Sequence, residues 1–344
     1  MRIIFRTDTK PMITVKDVAK HANVSVGTVS NALTRRRPVS EETRQRVMQA
    51  IEDLGYQPNL LARSLIDRRS YTLAVVTGRL EYYGGSRTLV GIEGGASALG
   101  YSVLLHLIRR PAQTDLPALL SSLTSRRVDG VIWALSELPA QVALHLPMIF
   151  LFMPPHPDRS VVTMDHRAGA VQAMQHLLAQ GRRTIGLVNG PLTWWVARER
   201  QTGWQETLQT AGLAADDSLI VHGDWSAASG EQRMAELLAR RPDIDAVLVG
   251  NDQMGLGVLR KTHQAGRRVP QDLAVVGFDN TPESAFFWPA LTTVDLRHVE
   301  IGRLAVEQLV KMIEAQHEGN GASQPVTVTL KPELIIRESS AASA

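Results

Sequence analysis

Hydrophobic residues near the start of the chain recur at helical spacing in three short bursts. Val15, Val18, Ala19 and Ala22 fall at i, i+3, i+4 and i+7, which lines one face of a first helix. The period breaks at Ala22-Asn23-Val24, where Asn tolerates a turn, and Ser25 is placed to cap a second helix from Val26. In that helix Val29, Ala32 and Leu33 face back towards the first. Val26, Gly27, Thr28, Ser30 and Asn31, all small or polar, occupy the other side. Ser40-Glu41-Glu42-Thr43 caps a third helix with Val47, Ala50, Ile51 and Leu54 inward and Gly55 to stop it. Period alone allows a plain helical hairpin. Two helices on a tight turn, the second with an unused polar face, are also the build of a major-groove reader.

From Tyr71 the pattern changes. Short β-branched runs appear at Leu73–Val76, Val103–Leu107, Val128–Trp133, Met148–Phe152, Ile185–Val188, Ala246–Val249 and Leu273–Phe278. Amphipathic stretches lie between them, at Leu89–Leu99, Leu116–Arg126, Arg167–Gln180, Arg198–Ala211, Ala227–Arg240 and Gln253–Gln264. Such alternation predicts parallel sheets covered on both faces, and the length suffices for two of them. Val161–Asp165 and Leu291–Val294 read as crossings between the lobes. Thr327–Leu330 and Leu334–Arg337 read as late strands returning to the second lobe.

Charge sharpens the division. The chain of 344 residues carries a net +3, but residues 1–70 hold 13 Lys and Arg against 7 Asp and Glu. A basic end on a slightly acidic body points to a polyanion partner for that end alone, with Arg35-Arg36-Arg37, Arg44, Arg46 and Arg63 in the same module as the polar helix. The absence of cysteine removes disulfides, thiol catalysis and Cys-based metal sites. No apolar run reaches membrane-span length, and Met1–Pro11 has no apolar signal-peptide core. That segment reads as an unstructured extension or as an over-long start before Met12. Neither GxxxxGKS nor GxxxxGKT occurs, nor HExxH, nor GxSxG, and the His residues are scattered, with Asp165-His166 read as structural. An enzyme or a secreted solute-binding protein therefore ranks well behind a DNA-binding regulator.

The stretch VKDVAKHANVSVGTVSNAL, followed by VSEETRQRVMQAIEDLGYQPNLLARSL, resembles the headpiece of the LacI/GalR (lactose-repressor) family over Thr14 to Leu65. The phrases VDGVI, QGRRTIGLVNGP, ERQTGW, GNDQMGLGVLR, VPQDLAVVGFDNTPES, PALTTVDL and GRLAVEQL resemble that family's periplasmic-binding-protein-like body. The resemblance implies a small all-α helix-turn-helix headpiece on an α/β body of two parallel-sheet lobes. On that reading residues 1–13 are an extension, 14–57 the headpiece, and 58–70 a hinge helix and linker. Residues 71–164 with 295–325 form the N-terminal lobe, and 165–294 with 326–344 the C-terminal lobe. Thr14, Ser25, Thr28, Ser30 and Arg44, with Lys16, are expected at DNA phosphates, and Val26, Gly27 and Asn31 at base edges. Pro58 and Asn59 would open the hinge helix, Leu60 and Leu61 would meet the groove or the partner copy, Ala62 would join the DNA contacts, and Leu65 would wedge into the minor groove.

Strand ends supply candidate ligand groups. Asp279, Asn251 and Arg200 match effector contacts of the family, and Asp165 ends a crossing strand. Trp194 and Trp195 beside Arg200 suit a sugar, whose C–H face lies on an aromatic ring while its hydroxyls take polar partners. Tyr83 and Phe152 are added as wall, with Tyr82, Trp133 and Trp288 as further aromatics. Phe152-Met153 stands where several relatives have Asp, which favours a partly apolar disaccharide or glucoside. A nucleoside or purine is the alternative effector. The expected partners are double-stranded DNA with a near-palindromic operator, the small effector and a second copy of the chain, with no membrane. Arg303–Glu314 and Leu89–Leu99 are expected at the dimer face, and no C-terminal leucine heptad calls for a tetramer. No enzyme activity, cofactor or metal is expected, and the compartment is the cytoplasm.

Overall fold

The computed structural model describes residues 13–34, 38–56, 69–78, 80–108, 115–135, 146–319 and 324–341. The chain divides into two units, residues 1–70 and 71–344.

The first unit contains α1 (Val15–His21), α2 (Val26–Thr34) and α3 (Glu41–Leu54). Each boundary has a local cause. At the start of α1 the Thr14 backbone N–H and hydroxyl both donate to Asp17 Oδ2, at 2.8 and 2.6 Å, so the third residue of the helix reaches back to hold the cap residue. Asn23 takes φ 53° to make the turn. Ser25 Oγ accepts from the Thr28 N–H at 3.0 Å, and Ser40 Oγ from the Thr43 N–H at 3.3 Å. Gly55, left-handed at φ 60°, ends α3. The core of this unit is Val18, Ala19, Ala22, Val29, Ala32, Val47 and Ala50, with Leu33, Ile51, Leu54 and Tyr56 packed on it.

In the second unit the strands form two six-stranded sheets. The first has the order β11-β5-β4-β3-β1-β2, with β1 (Thr72–Thr77), β2 (Ser102–Leu107), β3 (Gly130–Ala134), β4 (Met148–Leu151), β5 (Ser160–Met164) and β11 (Thr327–Leu330). The second has the order β12-β10-β9-β8-β6-β7, with β6 (Ile185–Asn189), β7 (Ile220–His222), β8 (Ala246–Val249), β9 (Ala274–Phe278), β10 (Thr292–Asp295) and β12 (Glu333–Ile335). Every pairing is parallel except β10 with β12. Parallel strands need covering helices. These are α4 (Tyr83–Ala98), α5 (Leu116–Ser125) and α10 (His298–His317) in lobe 1, and α6 (His166–Ala179), α7 (Trp195–Thr210), α8 (Ala227–Arg240) and α9 (Asp252–Gln264) in lobe 2.

Two expectations need correction. Residues 326–330 do not return to the second lobe: Thr327–Leu330 lies parallel to β5, from Thr327 opposite Val161 to Leu330 opposite Met164. Only β12 joins the second sheet. β11 alternates polar and apolar residues, Thr-Val-Thr-Leu, as edge strands do, and alternation cannot say which of two open edges a strand will take. The helix expected over Leu89–Leu99 begins at Tyr83. Its glycines lower its helical propensity, yet they allow close packing on α10: a Cβ on Gly91 would lie 2.0 Å from the Val299 carbonyl oxygen. The two segments expected at the dimer face thus pack on each other, while Val90 and Leu99 keep exposed apolar surface.

Candidate functional site

In the first unit α2 leaves one side uncommitted to the core. Val26 and Gly27 are exposed, and Thr28, Ser30 and Asn31 are half-buried. The Ser25 hydroxyl is shared between the Thr28 N–H and the Thr28 hydroxyl, 2.9 Å away, so it acts first as a cap. Thr14 is exposed with its hydroxyl on Asp17, and Arg44 is half-buried. The side of α2 that carries Val26, Gly27 and Asn31 presents a methyl pair, bare backbone and a carboxamide. Those groups suit a thymine methyl, a close approach and a bidentate contact to adenine. Asn59, Leu61, Ala62 and Leu65, the expected hinge contacts, lie outside the described residues, as do Arg35, Arg36, Arg37 and Arg63.

In the second unit a cavity of about 170 Å³ lies between the two lobes. A single water needs only about 10–15 Å³ on that measure, so the space admits a small organic molecule. Lobe 1 contributes Thr77 and Gly78 at the end of β1, Tyr82, Ala134 and Leu135 at the end of β3, Phe152 after β4, and His298. Lobe 2 contributes His166, Trp194, Arg200, Trp225, Asn251 and Asp279. Carboxyl ends of parallel strands supply both rims, the place where open α/β sheets bind ligands.

Arg200 is the hub of the polar side. It is buried on the inner face of α7, donates from Nη1 to the Gly250 carbonyl, and donates from Nη2 to His166 Nδ1 at 3.3 Å. Its guanidinium carbon stands 4.5 Å from the Phe278 ring centroid and 5.6 Å from that of Trp225. Guanidinium only donates, so His166 Nδ1 accepts and the ring proton sits on Nε2. Burial, then the charges of Arg200 and His298, hold His166 well below the ordinary histidine value and keep it neutral. Asp279 Oδ1 lies 3.3 Å from His298 Nε2 and 4.0 Å from Arg200 Nη2. Burial pushes the Asp279 carboxyl up, but the His298 hydrogen bond and charge, with the Arg200 charge, hold it below its usual value. It is therefore an anion at neutral pH and an acceptor for ligand hydroxyl or amine protons.

Behind Asp279 lies Asp252, which accepts from the Thr281 N–H at 2.8 Å and from the Thr293 hydroxyl at 2.6 Å. Burial, helped by the Asp279 charge, pushes its carboxyl up to about 7. Asn251 lines the cavity, but its amide is partly spent on structure: Oδ1 accepts from the Met254 N–H at 2.9 Å and Nδ2 donates to the Trp225 carbonyl at 3.1 Å. The apolar side is a chain of rings. Tyr82 meets Trp194 edge-on at 5.9 Å, and Trp194 meets Trp225 at 5.7 Å.

The structure thus brings Asp279, Asn251, Arg200, Trp194 and Phe152 to one cavity. Three expected ligand residues are placed elsewhere. Asp165 caps α6 by accepting from the Ala168 N–H at 2.8 Å. Trp195 packs edge-on against His166 at 5.6 Å rather than facing the space. Tyr83 stands 6.0 Å from His298, in a second, charged pocket with Arg87, Asp295 and Arg297. Of the further aromatics, Tyr82 lines the cavity, Trp133 is core and Trp288 is 92% exposed. His166, read as structural, is a lining residue, and Trp225 and His298 were not singled out at all. Trp225 carries a faint local signal in its positive φ of 77°, which the sequence Gly-Asp-Trp does not announce. His298 becomes a site residue only through the crossing that opens α10.

Residues 14–59 match the family "Bacterial regulatory proteins, lacI family", and residues 174–340 match the "Periplasmic binding protein-like domain". The chain is 33% identical over 335 residues to the lactose operon repressor of Klebsiella pneumoniae, covering 95% of this chain and 92% of that one. Among solved structures it resembles a complex of the transcriptional regulator CelR with cellobiose, at 32% identity and TM-score 0.70 over 95% of this chain and 99% of that one. It also resembles a lac repressor dimer bound to operator and the anti-inducer ONPF, at 30% identity and TM-score 0.77 over 97% and 100% of the two chains.

Proposed function

The chain belongs to the LacI family of bacterial regulatory proteins, and from that premise we propose that it is a dimeric repressor whose grip on a near-palindromic operator answers to a sugar or glycoside held between its two lobes. The observation that carries the ligand class is the cavity itself. Trp194, Trp225 and Tyr82 give ring surface for a C–H face. Asp279 and Arg200 give an anionic acceptor and a cation on the polar side. Phe152 in place of a further carboxylate makes the lobe 1 wall apolar, which suits a glycoside with two units, such as the cellobiose bound by CelR.

The headpiece reads the major groove with α2: Val26, Gly27 and Asn31 meet base edges, while Thr14, Ser25, Thr28, Ser30 and Arg44 hold phosphates. Asn59, Leu61, Ala62 and Leu65 act in the minor groove between the two copies. The ligand changes operator affinity only by the difference in its own affinity for the free and the DNA-bound protein. No step of this function needs catalysis, a cofactor or a metal, so we read the chain as a regulator and not an enzyme. A DNA partner supports a cytoplasmic location.

The test is a thermal-shift screen of the full chain against sugars, glycosides, nucleosides and amino acids. A ligand at about a hundred times its Kd adds about 2.7 kcal/mol of stability, a clear rise in Tm. We expect the rise from a sugar or glycoside, and its loss in Asp279→Ala while operator binding persists. A rise from nucleosides alone would replace the ligand class.

A further inference from the structure

Beside the edge-on contact of Tyr82 with Trp194, two polar contacts made by cavity residues tie lobe 1 to lobe 2. At one, the Tyr82 hydroxyl donates to the Asp224 carbonyl at 3.3 Å. At the other, His298 faces Asp279 across the interlobe space, Nε2 to Oδ1 at 3.3 Å, with side chains 7% and 11% exposed. His298 opens α10, which packs on α4 and the first sheet, while Asp279 follows β9 of the second. Asp279 sits at φ 102°, an unusual conformation for a residue with a side chain. Gly84 leaves the space the imidazole occupies: a Cβ there would come within 2.8 Å of His298 Cε1. The ring is thus seated in lobe 1 by a glycine and directed at the one carboxylate of lobe 2 that lines the cavity.

We propose that His298 is a positioning residue that clasps the two lobes through Asp279, and that the clasp tightens when the imidazole takes up a proton. Neutral His298 offers one N–H to Asp279. Protonated, it makes a charge-assisted hydrogen bond to the same oxygen, in a space largely screened from water. The closed form of the cleft is then the form that proton uptake favours. The clasp also orients Asp279, leaving Oδ2 for a ligand. The charged surroundings of His298 are Asp279 and Arg200 from lobe 2, with neutral His166 behind Arg200 and Asp252 behind Asp279. Tyr83 and Arg87 flank it from α4, and Asp295, Arg297, Glu300 and Arg303 from its own segment. Arg297 and Arg303 are each paired with Glu300, and the lobe 2 charge within hydrogen-bond reach of the ring is Asp279.

The proposal rests on the cavity being the ligand site, but its test uses no ligand and so fails or succeeds apart from that reading. Trp194 and Trp225 line the cavity, so opening the cleft exposes them to acrylamide. Trp133 and Trp204 stay buried and Trp288 stays exposed. Fluorescence quenching by acrylamide is measured on the full chain at about pH 5 and about pH 8, the span in which histidine as a residue type changes charge. In the parent protein the quenchable fraction should rise at the higher pH by up to two of the six tryptophans. His298→Gln, which keeps an N–H at the position of Nε2, should show one intermediate value at both pH values. His298→Phe should be fully quenchable at both. A parent protein with no pH difference, or a His298→Gln protein that keeps it, overturns the proposal. Urea midpoints of the three proteins at both pH values form the second measurement. The gap between parent and His298→Gln should narrow at the higher pH, and a constant gap overturns the proton-linked clasp.

Discussion

Asp252 and Asp279 stand at adjacent strand ends and are driven in opposite directions. Asp279 is held below its ordinary value, so its contribution to stability is present above that value and is lost as pH falls through the lowered one. Asp252 is raised from 3.8 to about 7, so the fold prefers it protonated. Its contribution is complete below the unfolded value and is lost as pH rises through about 7. At about 1.4 kcal/mol for each tenfold in proton affinity, the loss is on the order of 4 kcal/mol. Asp252→Asn cannot ionise and should remove this slope, at some cost at low pH where an amide N–H meets the Thr281 N–H. The check is urea unfolding from pH 4 to pH 8: the difference between parent and variant should shrink or reverse as pH rises. A difference that does not vary with pH would show that Asp252 is already ionised in the fold. Gly277 belongs to the same device, since a Cβ there would lie 2.4 Å from Asp252 Oδ1.

At the scale of elements, α2 is one short helix serving two purposes. Its inward face holds the unit together through Val29 and Ala32, and its outward face, the one proposed to meet DNA, stays free of the core. Ser25→Ala removes the cap on the Thr28 N–H, worth about 1 kcal/mol, and should weaken binding to operator and random duplex alike. Asn31→Ala leaves the helix intact and should lose about 1–3 kcal/mol of discrimination at one base pair. Its affinity for random duplex should hold. A titration in which Asn31→Ala weakens both duplexes equally would assign Asn31 to phosphate or to folding. Boundaries of this kind were legible in the chain because their causes are local: Asn23 turns, Ser25 and Ser40 cap, Gly55 stops. Asp279, Arg200 and Asn251 were legible through family phrases. His298 and Trp225 were not, because they reach the cavity through crossings and turns that no spacing encodes. The misplaced β11 has the same origin, an edge strand whose partner is chosen by the fold of another segment.

On the scale of the whole molecule, the headpiece encloses, among the described residues, only seven buried core residues, four of them alanine and three valine. So small a core and one short reading helix give a single copy a weak, largely electrostatic hold on DNA. A second copy on the same duplex turns the second contact into an intramolecular one, which can add about 10²–10⁴ in avidity when the geometry allows both. The basic end supplies the attraction, and the dimer supplies the selectivity for two half-sites. The consequence is testable without knowing the ligand. An operator is first selected from a random duplex library. Inserting about five base pairs between its half-sites turns one of them to the opposite face of the helix, since a turn is about 10–10.5 base pairs. Affinity should then fall to that of a single half-site, and an insertion of about ten should restore part of it. Equal affinity for all three duplexes would mean that each headpiece binds alone, and a ligand acting through the relation of two copies would have nothing to act on.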